Sequence, residues 1–397
     1  MSEWKKVKLG DIASAIQTGP FGSQLHQSDY SDIGVPVVMP KDIINGRIDE
    51  STIARVESHH VERLSRHKIS EGDILYARRG DVGKCAYTVF AQQGWLCGTG
   101  CLRVTIDKEK AFPKFIFFQL QKRETIGWVE KHAIGATMLN LNTSILGDVP
   151  IELPPLYIQH HIATILSRYD SLIENYQKQI KLLEEAAQRL YKEWFVDLHF
   201  PGHENTKIVN GVPEGWEKKR LSDIANIIMG QSPKSEFYNT EGDGIPFHQG
   251  VGSYGYRFVV DNVYSTSFTR IAEPNSILFS VRAPVGRLNI TKNKIVIGRG
   301  LASINHKMGC QSYLYYLLKE KFFKDNIIGN GAIFASISKD ELYNLAFYIP
   351  SDEMVKRYDA IANKIDKNIQ YADSQIRLLT EARDRLLPKL MSGEIDV

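Results

Sequence analysis

Two long stretches of the chain place apolar side chains at steps of three and four residues, which is the spacing of one face of an α-helix. The first begins after Pro155 and contains no glycine or proline before Pro201, whereas Pro388 should kink or end the second. Each stretch holds about 35 to 40 residues, which gives a helix of about 50 to 60 Å at 1.5 Å per residue. The apolar seams are predicted to contain Tyr169, Leu172, Tyr176, Ile180, Leu183 and Leu190 in the first helix, and Ile365, Ile369, Ile376, Leu379 and Leu386 in the second.

Short runs of β-branched and aromatic residues, ended by glycine or asparagine, fill most of the remaining chain. Such runs are typical of strands, and helical stretches are predicted near residues 113–132 and 311–325. Strands and helices do not alternate regularly. The pattern therefore predicts mixed α/β (α+β) globular domains without a doubly wound sheet.

The chain also repeats itself, with a period of about 200 residues. Residues 4–13 return as 216–225, 73–84 as 276–287, 98–100 as 298–300, and 135–142 as 331–338. Each copy then enters one of the long helices. If the helices pair antiparallel, the chain acquires an internal pseudo two-fold repeat, a symmetry that duplex DNA shares. The alternative is that each helix packs only against its own domain.

These observations divide the chain into two similar domains and two spacer helices. The predicted boundaries are residues 1–152 for the first domain, 153–200 for the first helix, 201–350 for the second domain, and 351–397 for the second helix and C-terminal tail.

Three motifs carry a resemblance to a known family. They are Gly-Asp-Ile-Leu-Tyr-Ala-Arg-Arg-Gly at residues 72–80, Ile-Gly-Ala-Thr at 134–137, and the Pro-Pro segment at 153–163 that opens the first helix. In order and duplication they resemble the specificity subunits of type I restriction-modification systems, over essentially the whole chain. The second copy departs from the pattern, since Ile333 stands where the first has Thr137 and only Pro350 remains of the proline pair.

The resemblance implies two target recognition domains, each reading a short half of an asymmetric, interrupted sequence in double-stranded DNA. The two helices would form a coiled coil that fixes the gap and docks two methyltransferase subunits. Those partners would methylate adenine N6 with S-adenosylmethionine, and a separate ATP-driven restriction and translocase subunit would cut the DNA. S-adenosylmethionine, Mg and ATP are thus expected on partner subunits, with no cofactor in this chain.

The sequence lacks the catalytic motifs that would contradict a non-catalytic role. The Gly80-Asp-Val-Gly-Lys84 segment lacks the glycine spacing and the hydroxyl residue of a phosphate-binding loop. No Asn-Pro-Pro or Asp-Pro-Pro is present to hold a flipped adenine. The pairs His59-His60 and His160-His161 should diverge and bind no metal. The four cysteines are predicted to be buried free thiols. A non-catalytic subunit is therefore predicted.

Charge distribution indicates where DNA is bound. The net charge is only +3, but residues 274–319 and 82–106 contain no acidic residue. Basic side chains there would give salt-dependent affinity, and base reading is expected on the loops that repeat least. The candidate DNA-binding residues are Gln17, Gln24, Lys41, Arg78, Arg79, Lys84, Arg103, Gln231, Lys234, His248, Tyr254, Arg282, Arg287, Lys292 and Arg299.

Two other functions fit parts of the pattern. One is a structural adaptor that carries two protein-binding globules on a coiled coil, and the other is a nuclease whose site is unfamiliar. No stretch has the length of a signal peptide core or the roughly 18 apolar residues of a membrane span. We therefore expect a cytoplasmic protein without membrane contact.

Overall fold

The computed structural model describes residues 4–135, 139–322, 336–395 and 397. It divides into two compact units: unit 1 comprises Met1–Asn175 and Ile376–Val397, and unit 2 comprises Tyr176–Gln375. Each long helix contributes one part to each unit. The sequence-based boundaries, which separate the helices from the globules, remain a prediction.

Unit 1 contains two four-stranded sheets. The main sheet has the antiparallel order Ala13–Thr18, Cys101–Ile106, Ile74–Ala77 and Cys85–Tyr87. The side sheet has the order Leu96–Cys97, Val35–Val38, Ala54–Val56 and Tyr30–Ser31, and its first pair is parallel. Two strand pairs join Lys5–Lys8 to Pro150–Leu153 and Ile43–Ile44 to Arg47–Ile48. The shorter α-helices are Leu9–Ile12, Ser58–Arg63, Pro113–Leu120, Arg123–His132 and Thr143–Gly147.

Unit 2 repeats this arrangement. Its main sheet has the antiparallel order Ala225–Met229, Leu301–His306, Ile277–Ser280 and Leu288–Ile290. Its side sheet has the order Tyr238–Asn239, Tyr264–Ser265, Ile245–His248, Ile295–Ile297 and Ile271–Ala272. Two strand pairs join Glu217–Arg220 to Ala346–Ile349 and Ile208–Val209 to Val212–Pro213. The shorter α-helices are Leu221–Ile224, Gln311–Phe322 and Lys339–Tyr343.

The main sheets of the two units correspond strand by strand, and the side sheet of unit 2 has one additional strand, Ile271–Ala272. Each side sheet contains one parallel pair of strands, and the two pairs are equivalent. In unit 1 Leu96 lies opposite Val37, and in unit 2 Val296 lies opposite Phe247. Neither main sheet has the parallel order of a doubly wound fold. The predicted fold class, mixed α/β with two similar domains, is therefore confirmed.

The two long helices span Leu156–Phe195 and Asp352–Met391. Within unit 2 they run antiparallel, because Tyr176 packs against Tyr371 while the Tyr358 hydroxyl donates to the Ala187 carbonyl at 3.1 Å. Pro388 lies inside the second helix, which ends three residues later. In the described part of the chain, no helix is both long and apolar enough to cross a membrane.

The predicted seam of the first helix is wrong by one residue at one position. Leu172 is 47% exposed, whereas its neighbour Ile173 is buried. Buried residues recur every seven positions, at Leu166, Ile173, Ile180 and onward, so the true seam follows a heptad. Of the other predicted seam residues, Ile180 and Ile369 are buried, and Tyr169, Tyr176, Leu183, Leu190, Ile365, Ile376, Leu379 and Leu386 are partly buried.

Each unit has an apolar core between its main sheet and its helices. In unit 1 the core joins the helix Pro113–Leu120 to Leu166 of the first long helix and Leu390 of the second. In unit 2 it joins Tyr313 to Ala187 and Tyr358 of the two long helices. Within a unit the helices thus pack on the domain as well as on each other, so the alternative in which each helix packs only against its own domain is wrong.

All four cysteines are unpaired and buried, as predicted. Cys85, Cys97 and Cys101 lie in unit 1 and Cys310 in unit 2. Burial raises the pKa of the Cys85 and Cys97 thiols to about 12 and that of Cys310 to about 11.

A partly buried lysine, Lys114, lies at the start of the unit 1 helix Pro113–Leu120. The Lys114 ammonium group is 4.2 Å from the ring centre of Tyr87 and 4.5 Å from that of Phe117. Burial lowers the pKa of Lys114 to about 8, although the nearby Asp170 carboxylate acts in the opposite direction.

This pKa predicts a pH-dependent stability. Because unfolded lysine keeps its proton up to about pH 10.4, the unfolded state binds more protons than the folded state between about pH 8 and that value. Lys114 should therefore contribute stability that rises by about 2 kcal/mol between pH 7.5 and pH 10. The buried thiols of Cys85, Cys97 and Cys310 act in the opposite direction near the top of this window, because they ionise more readily in the unfolded chain. In urea unfolding, the free energy of unfolding of wild type minus that of Lys114→Met should therefore rise with pH by this amount, whereas the same difference for the exposed control Lys108→Met should stay constant. An identical pH dependence in wild type and Lys114→Met would contradict the assignment.

Candidate nucleic-acid interface

Four connections of unit 1 meet at one edge of its sheets, which we call loop edge 1. They are residues 18–24 after Ala13–Thr18, 39–41 after Val35–Val38, 78–81 after Ile74–Ala77, and 98–100 between Leu96–Cys97 and Cys101–Ile106. The strands that end here are held in register by their neighbours, so the loops start from fixed positions.

Backbone hydrogen bonds join the loops of edge 1 to one another. The Gly19 amide donates to the Cys101 carbonyl at 2.9 Å, the Gly98 amide to the Val38 carbonyl at 2.9 Å, and the Arg78 amide to the Gly100 carbonyl at 2.8 Å. A side chain on Gly19 would lie 1.9 Å from the Gly98 carbonyl oxygen. Only glycine permits this approach of two loop backbones.

The same four connections meet in unit 2 and form loop edge 2. They are residues 230–234, 249–250, 281–284 and 298–300. The Gly230 amide donates to the Leu301 carbonyl at 2.9 Å, the Gly298 amide to the His248 carbonyl at 2.8 Å, and the Val281 amide to the Gly300 carbonyl at 2.9 Å. These bonds match those of loop edge 1 one for one.

Glycine has the same role in edge 2. A side chain on Gly230 would lie 2.1 Å from the Gly298 carbonyl oxygen. The repeated Gly-x-Gly segments of the sequence, at residues 98–100 and 298–300, therefore lie where the backbones of neighbouring loops pack closely together.

Five candidate residues of unit 1 lie on or beside loop edge 1: Gln17, Gln24, Lys41, Arg78 and Arg79. Arg79 is exposed, and its backbone bridges to Asn140. The Lys41 ammonium group donates to the Thr52 carbonyl at 3.1 Å and remains largely exposed. Lys84 lies beyond this group and forms an exposed ion pair of 3.1 Å with Asp81.

Arg103 has a structural role that the sequence prediction missed. Its guanidinium donates to the Lys68 carbonyl and, at 2.7 Å, to the Gln17 side-chain oxygen. The side chain is mostly buried beside Asp73. Arg103 therefore positions Gln17, and its prediction as a direct DNA contact is corrected because its donors are directed into the protein.

Four candidate residues of unit 2 lie on loop edge 2 and are exposed: Gln231, Lys234, Arg282 and Arg299. The Ser232 hydroxyl donates to the Gln249 side-chain oxygen at 2.8 Å and accepts from the Arg299 amide at 3.2 Å. Ser232 and Gln249 thus fix the backbone that carries Arg299. Neither is among the candidate residues, although both belong to loops that repeat little between the two halves of the sequence.

His248 is also corrected, because its side chain is fully buried. One ring nitrogen is 2.8 Å from the Ser253 hydroxyl and the other is 3.0 Å from an Asp261 carboxylate oxygen. The Tyr254 hydroxyl is likewise buried. Both side chains support the loop that follows loop edge 2 and are not available to the edge of a base.

The two remaining candidates lie away from loop edge 2. Lys292 contacts Asp373 of the second long helix, and its ammonium group lies 5.0 Å from the ring centre of Phe258. Arg287 is exposed and lines a cleft together with Tyr256 and Lys319.

Two arginines that are absent from the predicted set, the buried Arg257 and the partly exposed Arg47, join each unit to a long helix. In unit 2 the Arg257 guanidinium donates to Glu184 at 3.2 Å and to Asp366 at 2.6 Å, and it stacks 3.6 Å from the ring centre of Tyr315. In unit 1 Arg47 forms a 3.0 Å ion pair with Glu174 of the first long helix. The sequence signal that could have identified Arg257 is its position as the single charged residue in the aromatic and apolar run 254–260.

The histidine pairs differ from expectation in one respect. The rings of His59 and His60 do not diverge but lie 3.9 Å apart, because the two residues occupy the first turn of the helix Ser58–Arg63. His160 instead stacks on Phe112. Across the described ranges, no three histidine, cysteine or acidic side chains are grouped as metal ligands would be.

The duplicated units agree with a comparison of the chain with known protein families. The family model described as "Type I restriction modification DNA specificity domain" matches residues 1–185 and 213–377. The chain therefore belongs to this family, and the predicted role as the subunit that gives a type I restriction-modification enzyme its DNA sequence specificity is confirmed. Thr137 and Ile333 of the sequence motifs lie outside the described residues.

Particular relatives support the same assignment. The chain is 30% identical, over its whole length and 94% of the relative, to the putative type I restriction enzyme MjaX specificity subunit of Methanocaldococcus jannaschii. It is 22% identical, over the whole of both chains, to the HindI specificity subunit of Haemophilus influenzae. The crystal structure of the type I restriction-modification S subunit from M. genitalium has the same fold, with a TM-score of 0.60, 19% identity, and coverage of 98% of this chain and 96% of that one.

Proposed function

We propose that this chain reads a bipartite, interrupted DNA target, with loop edge 1 contacting one half-site and loop edge 2 the other. One observation carries the proposal: the same four connections, joined by the same backbone hydrogen bonds, present different side chains in the two units. A common frame with different contacts suits one subunit that reads two unlike sequences.

The exposed cations of the two edges support binding to a polyanion. Arg79 lies on loop edge 1, and Arg282 and Arg299 lie on loop edge 2. Arginine donates two parallel hydrogen bonds to guanine O6 and N7 or to phosphate, so each of these side chains suits either a base or a backbone contact.

In this proposal the chain is non-catalytic and works by docking other subunits. Two methyltransferase subunits that use S-adenosylmethionine bind the long helices, and a restriction and translocase subunit supplies Mg- and ATP-dependent cleavage. The helices expose large apolar side chains suited to such contacts, namely Tyr157, Leu172, Leu182, Ile361, Tyr371 and Leu378.

The test is selection from a randomised duplex library by this chain co-purified with its methyltransferase subunit. Two short defined blocks separated by an undefined gap are expected. Variants of loop edge 1 should change one block only, and variants of loop edge 2 the other. A single block would refute the bipartite target. A stable complex that enriches no sequence would favour the structural adaptor, and cleavage by the chain alone would favour the nuclease.

Salt dependence should show which cations touch DNA. In Arg79→Ala and in Arg299→Ala, the slope of log affinity against log salt should become shallower by about 1, because each variant releases one fewer phosphate-bound counterion. Filter binding of the enriched duplex over a series of salt concentrations measures the slope. Lys108→Ala is the control, since Lys108 is exposed beyond the opposite end of the strand Cys101–Ile106. An unchanged slope in Arg79→Ala and Arg299→Ala would exclude phosphate contacts at these positions.

A further inference from the structure

Loop edge 1 carries one large apolar side chain that its own unit leaves exposed. Phe21 is 56% exposed, although the residues on either side of its turn, Pro20 and Leu25, are buried. Phe21 belongs to none of the apolar core clusters of its unit. Its position at the proposed DNA contact therefore points to a role in the complex.

The backbone that carries Phe21 is fixed. The Phe21 amide donates to the Gln24 side-chain oxygen at 3.0 Å. The Phe21 carbonyl accepts from the Gln24 amide at 2.8 Å and from the Leu25 amide at 3.2 Å. Gly19, packed against Gly98, fixes the start of the same turn. The turn is therefore preorganised to present the ring before DNA arrives, which reduces the entropy lost on binding.

A cation accompanies the ring. The Arg78 guanidinium carbon lies 6.0 Å from the ring centre of Phe21. The Nε atom of Arg78 is buried and has no hydrogen-bond partner within the described ranges. An apolar side chain beside an arginine is the combination by which proteins partly unstack a base step while contacting the neighbouring groove or phosphate.

We propose that Phe21 inserts against one base step of the half-site read by unit 1 and unstacks it, with Arg78 contacting the adjacent DNA backbone. This inference rests on the proposed function and deepens it. Pyrimidine–purine steps unstack most easily, so the step contacted by Phe21 should be of this type. Sequence would then be read at that step through DNA deformability and without hydrogen bonds to the bases.

Unit 2 has no aromatic residue on the turn that corresponds to the one carrying Phe21. Its corresponding turn has the sequence Gly-Gln-Ser-Pro-Lys at residues 230–234, without an aromatic residue. The two half-sites should therefore differ in deformation, and only the block read by unit 1 should contain an unstacked step that depends on this turn.

The experiment measures permanganate oxidation of unstacked thymines in the enriched duplex, bound by the complex of this chain with its methyltransferase subunit. Wild type should show one reactive step in the first block that Phe21→Ala abolishes and Phe21→Trp retains. Affinity should fall about 10-fold in Phe21→Ala, within the range measured for loss of one base–aromatic stack. The thymine left unpaired opposite any adenine that the methyltransferase flips should stay reactive in both variants, which separates the two signals.

Phe90→Ala is the matched control. Phe90 is 72% exposed in the same unit, but it lies beyond the opposite end of the strand Ile74–Ala77, where the Thr88 amide bonds to the Asp73 carbonyl at 3.0 Å. This variant should leave reactivity and affinity unchanged. If wild type enriches two blocks but no reactive step depends on Phe21, this inference alone is overturned. If wild type enriches no two blocks, the proposed function fails and the inference fails with it.

Discussion

Replacement of Arg257 by alanine is expected to lower the free energy of unfolding by about 3 to 5 kcal/mol, the cost of breaking a buried ion pair from one side. The side chain is only 2% exposed and bonds to Glu184 and Asp366. Its removal leaves the largely buried Asp366 without the arginine that pairs with it, and leaves Glu184 only the Lys319 ammonium group at 3.9 Å. It also removes the cation stacked on Tyr315. Urea unfolding followed by circular dichroism measures the loss.

Two further variants make the Arg257 result interpretable. Arg282→Ala removes an exposed arginine from the same unit and should change stability by less than about 0.5 kcal/mol. Combined replacement of Arg257, Glu184, Asp366 and Lys319 by apolar residues of similar volume should restore much of the loss, since Lys319 pairs with Glu184 at 3.9 Å and is removed with it. A loss below about 1 kcal/mol in Arg257→Ala would show that the network is not a major source of stability.

Replacement of Gly230 by alanine is expected to cost about 3 kcal/mol, because the new methyl group must force two backbones apart. The added carbon would lie 2.1 Å from the Gly298 carbonyl oxygen and 2.8 Å from that of Leu301. Neither is the end of a flexible side chain, so the loops themselves must move. Recognition of the second half-site should weaken together with stability, whereas recognition of the first should remain.

Library selection with Gly230→Ala, alongside urea unfolding, checks both parts of this expectation. Gly252→Ala is the control, since open space surrounds that position and alanine there should be neutral or slightly stabilising. Gly19→Ala should produce the mirror result and weaken the first block. If Gly230→Ala unfolded like wild type and enriched both blocks, glycine would not be required where the loops meet.

The duplicated architecture was predictable from the sequence because its signals are local. Paired segments such as 73–84 and 276–287 share strand residues and a glycine turn, and both fold into the same position of a main sheet. The long helices were visible from their periodicity. The seam error at Leu172 arose because a mean spacing of 3.6 residues does not distinguish adjacent positions in a heptad pattern.

The details of the interface were not predictable, because they depend on contacts between distant residues. Arg103 meets Gln17 across 86 positions of sequence, and Arg257 meets Asp366 across 109. A polar residue in or near a loop gives no sign of whether it points outward, as Arg299 does, or inward, as His248 does. Burial of this kind follows from the assembled sheets and not from residue type.

The distribution of cysteines gives each unit its own reporter of local opening. A thiol reagent reacts with the thiolate and needs access to it, so both burial and the raised pKa protect these residues in the folded state. Transient opening of unit 1 exposes up to three thiols and that of unit 2 exposes one. Mass spectrometry of briefly alkylated protein would therefore show which recognition domain opens locally at the higher rate. It would also show whether bound DNA lowers the opening rate of that domain alone.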